Sequence, residues 1–376
     1  MSISLQSFDT NLLLQHTLKD AINAIIRGGD DRPTPEVIVD RKLGEGGYND
    51  VYLISWLSDW DDSTRSKSFA LRIPKEDMLL PHQILNEVAS ISMISVRCPN
   101  IPVPKIYASS ADGPNPFIAQ EFIDGEPLST IWPRYTEMEK HAVAQKIAEI
   151  IVDMAETRFS AIGGFASPTS STLGPTVEGS KLFKGRGKFH SNRCYPIGPY
   201  KTTKEYILAC YDKEIYYYTH APASDIDSDF FEVTSLEDFV QQLRDKKGQL
   251  ETSLVAEDEP FVLVHGDFSG RNIIMHGTQV QAVIDWEFAG AYPLSELLGG
   301  MGVYIMEPDE YNDEENVRWS RGIVRMVGET ARKREWDAKE LALLLGDGDR
   351  VLGIARMEMF PDDCFQPSND TDLDHP

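Results

Sequence analysis

Two short apolar runs flank a polar loop in residues 261–290, and this stretch constrains the chain more than any other. Residues 261–264 are all apolar and predict a short buried strand that leads into the polar loop 265–272. A second strand is predicted at 280–284, after a turn, and Asp285 follows it directly. Since a hairpin brings the second strand back beside the first, we expect Asp285 to lie next to loop 265–272.

Three oxygen-bearing side chains in this stretch, Asp267, Asn272 and Asp285, have the chemistry that phosphoryl transfer requires. That reaction needs a carboxylate that orients and deprotonates the attacking hydroxyl, and oxygen ligands that hold magnesium on the phosphates. Asp267 and Asn272 are therefore the candidate catalytic residues, with Asp267 as the base, and Asn272 and Asp285 are the candidate magnesium ligands. The alternative is a polar turn in which these side chains only satisfy backbone groups. His265 is expected to brace the loop, because phosphoryl transfer depends on positioning and charge neutralisation.

The sequences HGDFSGRNII at 265–274 and VIDWEFAG at 283–290 resemble the catalytic and metal-binding segments of the aminoglycoside phosphotransferase and choline kinase-like family. Members of this family are related to protein kinases and phosphorylate small molecules. The resemblance implies an α+β, bilobal protein kinase-like fold, with a small antiparallel β lobe and a larger, mainly helical lobe. It also implies ATP and Mg2+ as cofactors. Gly266 and residues 285–287 depart from the protein-kinase HRD and DFG patterns, which argues against an activation loop switched by phosphorylation.

Gly44, Gly46 and Gly47 lie between two predicted strands, where a tight hairpin would place backbone amides over nucleotide phosphates. The spacing falls short of the GxGxxG pattern of protein kinases, so this hairpin alone is weak evidence. It gains weight from the motif at 265–272.

Arg72 occupies the position at which kinases present a phosphate-binding lysine on a strand of the small lobe. An arginine keeps the charge and can bind two oxygens with parallel donors. Glu87 lies on a predicted helix at 82–97, and we expect it to pair with Arg72 and direct it toward the phosphates. The alternative for Arg72 is a surface cation on an edge strand, and the alternative for Glu87 is a solvated helix residue. Lys75 is the second candidate for the phosphate contact. The buried side of the helix is predicted from apolar spacing to consist of Ile84, Leu85, Val88, Ile91 and either Ile94 or Met93.

The resemblance implies a hinge between the lobes, where the backbone of Glu121, Phe122 and Ile123 would pair with the adenine edge. Turn residues follow at 124–127 and mark the expected lobe boundary. The predicted divisions are an N-terminal helical extension at 1–35, a nucleotide-binding small lobe at 36–123, a helical lobe at 124–360 with an acceptor-binding insertion at about 160–235, and an acidic, disordered tail at 361–376. Within these divisions, helices are predicted at 11–27, where the helix packs on the small lobe, at 137–159, and in the region 311–359.

The chain has 376 residues, and its 60 acidic and 36 basic side chains give a net charge of −24. This acidity disfavours nucleic acid as a partner, because phosphate binding requires the opposite field. No run approaches about eighteen consecutive apolar residues, so we expect no membrane span and a cytoplasmic protein. Four scattered cysteines without a CxxC pair indicate neither a zinc site nor a disulfide framework. The acidity has two interpretations, an acidic cleft for a cationic acceptor and a solvated acidic surface.

The sequence therefore predicts an ATP- and Mg-dependent phosphotransferase that moves the γ-phosphate to a hydroxyl of a small molecule, with a cationic, aminoglycoside- or choline-like acceptor as the finer expectation. Acceptor selectivity is expected in residues 160–235 and in the C-terminal helices. The aromatic stretch 206–218 is interpreted as core, with an acceptor pocket as the alternative. Two other classes stay open: a protein kinase, and a catalytically silent kinase-like binding protein, which would be expected to have lost one of the three oxygen-bearing side chains.

Overall fold

The computed structural model describes residues 12–26, 37–56, 68–75, 78–167, 172–177, 184–231, 234–253, 259–298, 303–307 and 313–346. The predicted tail at 361–376 and the end of the predicted helical region 311–359 lie outside these residues.

The described residues of the N-terminal lobe form two helices and five strands. The helices are α1 (Leu12–Ile26) and α2 (His82–Arg97), and the strands are β1 (Val37–Glu45), β2 (Asn49–Trp56), β3 (Ser68–Pro74), β4 (Ile106–Ser110) and β5 (Phe117–Glu121). The strands form one antiparallel sheet in the order β1-β2-β3-β5-β4. Because β3 lies in the middle of this sheet, its side chains have a neighbouring strand on both sides.

Helix α1 packs its apolar side on this sheet. Leu18 and Ile22 are almost fully buried, and they share a core cluster with strand residues such as Phe69 and Phe117. This cluster is separate from the core of the helical lobe. The prediction that a helix at 11–27 packs on the small lobe is confirmed.

The second lobe is mainly helical. Its helices are α3 (Leu128–Ile131), α4 (Glu137–Glu156), α5 (Thr203–His220), α6 (Leu236–Thr252), α7 (Asp313–Lys333) and α8 (Ala338–Leu344). Helix α4 begins with a capping box, in which the Thr136 side chain accepts from the Glu139 N–H and the Glu139 carboxylate accepts from the Thr136 N–H. The predicted end at residue 159 is wrong, because residues 158–159 leave the helix and pair with a strand.

Two three-stranded sheets hold the stretch at 261–290 in place. Their strands are β6 (Glu126–Pro127), β7 (Arg158–Phe159), β10 (Phe261–Val264), β11 (Ile273–His276), β12 (Gln279–Val283) and β13 (Gly290–Pro293), while β8 (Gly164–Phe165) and β9 (Leu173–Gly174) pair separately. One sheet has the order β13-β10-β7 and the other β12-β11-β6. The predicted strands at 261–264 and 280–284 are thus present, the second displaced by one residue.

The described part of the predicted insertion contains an ordered helix, α5, which packs against α6. Four of its five tyrosines enter the core of the helical lobe: Tyr206, Tyr211, Tyr217 and Tyr218 are each at most 6% exposed. The interpretation of the aromatic stretch as core is therefore confirmed.

A sheet lobe with its own core and a helical lobe with another make an α+β, two-lobed architecture, as predicted. Among the described residues, none of the helices combines the length and apolar character that crossing a bilayer requires.

Candidate active site

The loop after β10 is fixed by His265 and Gly266. The buried His265 ring accepts the Asp267 N–H at Nδ1, at 3.2 Å, so the ring proton lies on Nε2, which donates to the Ile284 carbonyl at 3.0 Å. Burial lowers the pKa of His265, which keeps the ring neutral for these two roles. Gly266 has φ of 83°, and a Cβ there would lie 2.5 Å from the Phe288 carbonyl oxygen. A side chain at the position of the HRD arginine would therefore clash with the chain after Asp285.

Asp267 and Asn272 face each other across this loop. The amide Nδ2 of Asn272 donates to the Asp267 backbone carbonyl at 2.8 Å and to its carboxylate Oδ2 at 3.1 Å. The carboxylate is partly exposed, at 29%, whereas Asn272 is buried. Because Nδ2 points toward Asp267, Oδ1 is the atom with which Asn272 would bind a cation.

Asp285 follows β12 and returns to the same loop, as expected from the hairpin. The neighbouring Ile284 N–H donates to the Asn272 carbonyl at 2.9 Å. Asp285 has the left-handed backbone conformation φ 68°, ψ 52°, which residues other than glycine rarely adopt. Such conformations concentrate at functional sites, where the surrounding structure holds them in place.

Arg72 lies at the centre of three carboxylates. Its Nη1 contacts Glu87, and its Nη2 lies 2.6 Å from Asp285 Oδ1 and 3.5 Å from Glu287 Oε2. The expected ion pair with Glu87 is present. Arg72 is 6% exposed on the central strand β3 and Glu87 is fully buried, so the alternatives of a surface cation on an edge strand and a solvated helix acid are wrong.

The charges in this cluster oppose the cost of burial. Burial alone would lower the pKa of Arg72, but the surrounding carboxylates raise it above its usual value, so the guanidinium stays charged. Burial raises the pKa of Glu87 and of Glu287, and Arg72 opposes this in both. Oxygens of Glu87, Asp285 and Glu287 lie within 4.8 Å of one another, which is close enough for a metal ion. The Arg72 guanidinium contacts all three of these carboxylates in this structure.

Asn49, Asn86 and Glu287 belong to this cluster, and the sequence assigned no role to any of them. Asn49 Nδ2 donates to Glu287 Oε2 at 2.9 Å and links the start of β2 to the chain after Asp285. Asn86 Nδ2 donates to the Glu287 and Ala289 carbonyls at 2.9 and 2.8 Å, and its Oδ1 accepts the Phe165 N–H at 2.6 Å. The sequence around Asn86 and Glu287 contains other polar residues, so it gave no signal that singled these two out.

The glycine hairpin connects β1 and β2, but only part of it is a turn. The Gly46 N–H donates to the Asn49 carbonyl at 2.9 Å, which places Gly46 and Gly47 in the turn, whereas Gly44 pairs with Val51 inside the ladder. Lys75, the second candidate for a phosphate contact, donates to the Gly46 carbonyl at 2.9 Å. It supports the hairpin from outside the Arg72 cluster.

The expected hinge follows β5. The Glu121 N–H donates to the Lys105 carbonyl at 2.8 Å, and its carboxylate accepts the Lys105 N–H at 3.1 Å. The Glu121 N–H is therefore used within the sheet and cannot serve the adenine edge. Phe122 and Ile123 are half-buried and lie between this strand and β6.

A cavity of about 400 Å³ opens beside Asp267. This volume is within the usual range of small-molecule sites, roughly 300–1,000 Å³. Its charged lining residues are Asp267, Arg271, Glu296 and Glu307, and its other walls include Phe268, Leu297, Leu298, Tyr304 and Met306. The Gly270 N–H donates to the Tyr304 carbonyl at 2.9 Å, which holds the segment 303–307 against the catalytic loop.

The described part of residues 160–235 does not line the cavity beside Asp267. It borders instead a cavity of about 30 Å³ between residues such as Arg186, Tyr195 and Tyr217, which has room for about one water molecule. Residues 304–307, just before the C-terminal helices, line the cavity beside Asp267. The role in acceptor selectivity that the sequence assigns to residues 160–235 and to the C-terminal helices stays a prediction.

One protein-family model and two curated proteins are similar to parts of this chain. A model described as the phosphotransferase enzyme family matches residues 39–326. A segment of 127 residues is 29% identical to a subtelomeric hrmA-associated cluster protein of Aspergillus fumigatus, covering 32% of this chain and 23% of that protein. A segment of 121 residues is 35% identical to altered inheritance of mitochondria protein 9, mitochondrial, of Candida glabrata, covering 29% of this chain and 18% of that protein. The matches thus span less than a quarter of the length of these relatives.

Solved structures with a similar chain course include aminoglycoside phosphotransferase APH(4)-Ia, with a TM-score of 0.49 and 18% identity over 92% of this chain and 88% of that chain. The streptomycin–ATP complex of APH(2")-IIa has a TM-score of 0.46 and 14% identity over 94% of this chain and 97% of that chain.

Proposed function

Because the chain belongs to the phosphotransferase enzyme family, we propose that it transfers the γ-phosphate of ATP, with Mg2+, to a hydroxyl group of a small molecule. The observation that carries this proposal is the loop in which Asp267, Asn272 and the chain entering Asp285 contact one another at the mouth of a cavity. Phosphoryl transfer requires positioning and charge neutralisation, and these residues supply both.

Asp267 would accept a hydrogen bond from the acceptor hydroxyl and orient its oxygen toward the γ-phosphorus. As the bond from that oxygen to phosphorus forms, the bond from phosphorus to the bridging oxygen of ADP breaks, and the hydroxyl proton passes to Asp267. Asn272 and Asp285 would hold Mg2+, which neutralises charge on the phosphates when bound. Their donor atoms, an amide oxygen and a carboxylate, are hard ligands that suit this ion.

Arg72 would contact the phosphates, positioned by Glu87. Its Nη2 already lies 2.6 Å from Asp285, so the phosphate contact and the magnesium ligand are neighbours. The turn at Gly46 and Gly47 would lie over the phosphates, and the link from Asn49 to Glu287 ties it to the rest of the site. The Glu121 carbonyl and the backbone groups of Phe122 and Ile123 are the hinge groups left for the adenine edge.

The lining of the cavity supports a cationic acceptor. Three carboxylates, Asp267, Glu296 and Glu307, face one guanidinium there. Phe268 and Tyr304 add aromatic faces, which attract cations. An amino alcohol or an aminoglycoside has the required combination of positive charge and hydroxyl group. A cytoplasmic location stays a prediction of the sequence.

ATP consumption with a panel of amino alcohols, aminoglycosides and sugars, beside a peptide library, tests this proposal and separates it from a protein kinase. We expect Asp267→Asn to bind nucleotide normally and to lose turnover by about 10²- to 10⁴-fold, the usual contribution of a general base. Asp112→Asn makes the same chemical change in an exposed turn and should leave turnover unchanged. Unchanged turnover in Asp267→Asn would reject Asp267 as the base, and ATP binding without turnover on any acceptor would favour the silent binding protein.

A further inference from the structure

Arg271 contacts the carboxylate to which the proposed function gives the role of base. Its Nη2 lies 2.6 Å from Asp267 Oδ1, four residues earlier on the same loop. The second oxygen of that carboxylate, Oδ2, accepts from Asn272. Both oxygens of Asp267 therefore have a donor in this structure.

A second carboxylate lies on the other side of the same guanidinium. Arg271 Nη1 is 3.5 Å from Glu307 Oε1, on the segment that forms the far wall of the cavity. Arg271 is 48% exposed and Glu307 is 60% exposed, so both side chains have room to move. The guanidinium stays charged, because the two carboxylates raise the pKa of Arg271 against the effect of partial burial.

The Arg271 guanidinium lies between two carboxylates, Asp267 and Glu307, and can pair with either of them. The contact with Asp267 is close, and the contact with Glu307 is at the limit of a hydrogen bond. An acceptor hydroxyl that approaches Asp267 competes with Arg271 for Oδ1. A guanidinium displaced from Asp267 has Glu307 beside it as a partner.

We propose that Arg271 is a positioning residue that restrains Asp267 while the cavity is empty of acceptor and turns to Glu307 when an acceptor hydroxyl binds. This inference rests on the proposed function. Its consequence is protection of ATP, because an open cavity of about 400 Å³ admits water beside the base.

The reaction that the restraint suppresses is hydrolysis. The oxygen of water forms a bond to the γ-phosphorus, the bond to the bridging oxygen of ADP breaks, and one water proton passes to Asp267. The products are ADP and phosphate, and no acceptor is consumed. Arg271 on Oδ1 keeps Asp267 from orienting the water.

The test measures Mg-ATP hydrolysis by the full chain without any acceptor, so the identity of the acceptor is not required. We expect Arg271→Gln to raise the kcat of this hydrolysis by about tenfold, a part of the ~10²- to 10⁴-fold that a free base contributes. KM for ATP should not change, because Arg271 contacts the base and not the residues proposed to bind nucleotide. Arg271→Lys, which keeps the positive charge, should return kcat most of the way to that of the unmodified chain.

Two further variants separate this role from a general loosening of the fold. The double variant Arg271→Gln with Asp267→Asn should lose the gain, since the effect acts through Asp267. Arg318→Gln removes a somewhat more exposed arginine, 57%, from an ion pair with Glu137 on the helical surface and should leave hydrolysis unchanged. The melting temperature of each variant shows whether it is folded, and Arg271→Ala serves in place of Arg271→Gln if the latter is not.

The outcomes distinguish the two proposals. If the unmodified chain binds and hydrolyses Mg-ATP but Arg271→Gln is no faster, the restraint is wrong and the proposed function stands. A gain that persists without Asp267 also rejects the restraint. If neither the unmodified chain nor any variant binds Mg-ATP, the proposed function fails and the restraint with it.

Discussion

At the scale of single residues, the guanidinium of Arg72 is shared by three carboxylates, although its charge offsets only one of them. Glu87 and Glu287 are almost fully buried, so neither is stabilised by water if Arg72 is removed. The Asn49 amide satisfies part of Glu287, but Glu87 depends on Arg72. Arg72 is therefore as important for folding as for the proposed phosphate contact.

We expect Arg72→Met to lower the free energy of unfolding by about 3–5 kcal/mol, the usual cost of removing one partner from a buried ion pair. Urea denaturation without nucleotide, followed by circular dichroism, measures this loss. Arg318→Met removes an exposed ion pair and should cost less than about 1 kcal/mol. An equal loss in the two variants would show that the Arg72 cluster contributes little to stability.

Some of these contacts could be predicted from the sequence and others could not. The pairing of Arg72 with Glu87, fifteen residues later, was expected from the resemblance to kinases, which keep an acid at this place on the helix. The contact between Asn49 and Glu287 joins residues 238 apart, and only the folded chain brings them together. A polar residue gives no local sign of such a distant partner.

At the scale of elements, helix α2 shows why apolar spacing alone misassigned a buried face. Ile84, Ile91 and Ile94 are buried as predicted, but Leu85 is 39% exposed and Val88 is only half-buried. The buried face also contains the polar residues Gln83, Asn86, Glu87 and Ser90. The helix packs against the turn at residues 286–288, and Asn86 donates to the Glu287 carbonyl there.

Asn86 is the residue through which α2 holds three parts of the chain. Removing its side chain leaves the carbonyls of Glu287 and Ala289 and the N–H of Phe165 without this partner. We expect Asn86→Ala to lower the free energy of unfolding by about 3 kcal/mol, since each unsatisfied buried group costs about 1–3 kcal/mol. We also expect slower turnover, because α2 carries Glu87.

Urea denaturation of Asn86→Ala beside Asn115→Ala measures this effect. Asn115 makes an exposed hydrogen bond to Asp20, and its loss should change stability by less than about 0.5 kcal/mol. If both variants lose the same small amount, α2 does not depend on Asn86 for its position.

At the scale of the whole molecule, the candidate site is assembled from parts that local patterns predict separately. Pairing of β10 with β13 sets the loop beside the chain after Asp285, and Gly266 and Gly270 allow close approach to Phe288 and Ile305. The two-lobed fold was predictable because the motifs at 265–274 and 283–290 resemble those of a known family. The place of segment 303–307 beside Asp267 was not, because its contacts, such as those of Tyr304 with Gly270 and of Met306 with Asn316, carry no signature in the sequence.

Assembly from both lobes makes Mg-ATP a ligand for the folded molecule, since Arg72 belongs to the sheet lobe and Asp285 to the helical lobe. We expect Mg-ATP at one hundred times its Kd to stabilise the chain by about 2.7 kcal/mol, which raises the melting temperature by several degrees. Addition of EDTA should remove most of this rise, because the phosphates then repel Asp285 and lose the ion between them.

Asp285→Asn is the variant that separates the metal from the nucleotide in this measurement. The substitution removes the repulsion and replaces a charged metal ligand by a neutral, weaker one, and it leaves Arg72 with one carboxylate fewer. ATP with EDTA should therefore raise its melting temperature about as much as Mg-ATP does, while Asp112→Asn should keep the dependence on magnesium. If EDTA has no effect on the unmodified chain, Asp285 and Asn272 do not bind a metal ion with the nucleotide. The stabilisation would then come from Arg72 and the glycine hairpin alone.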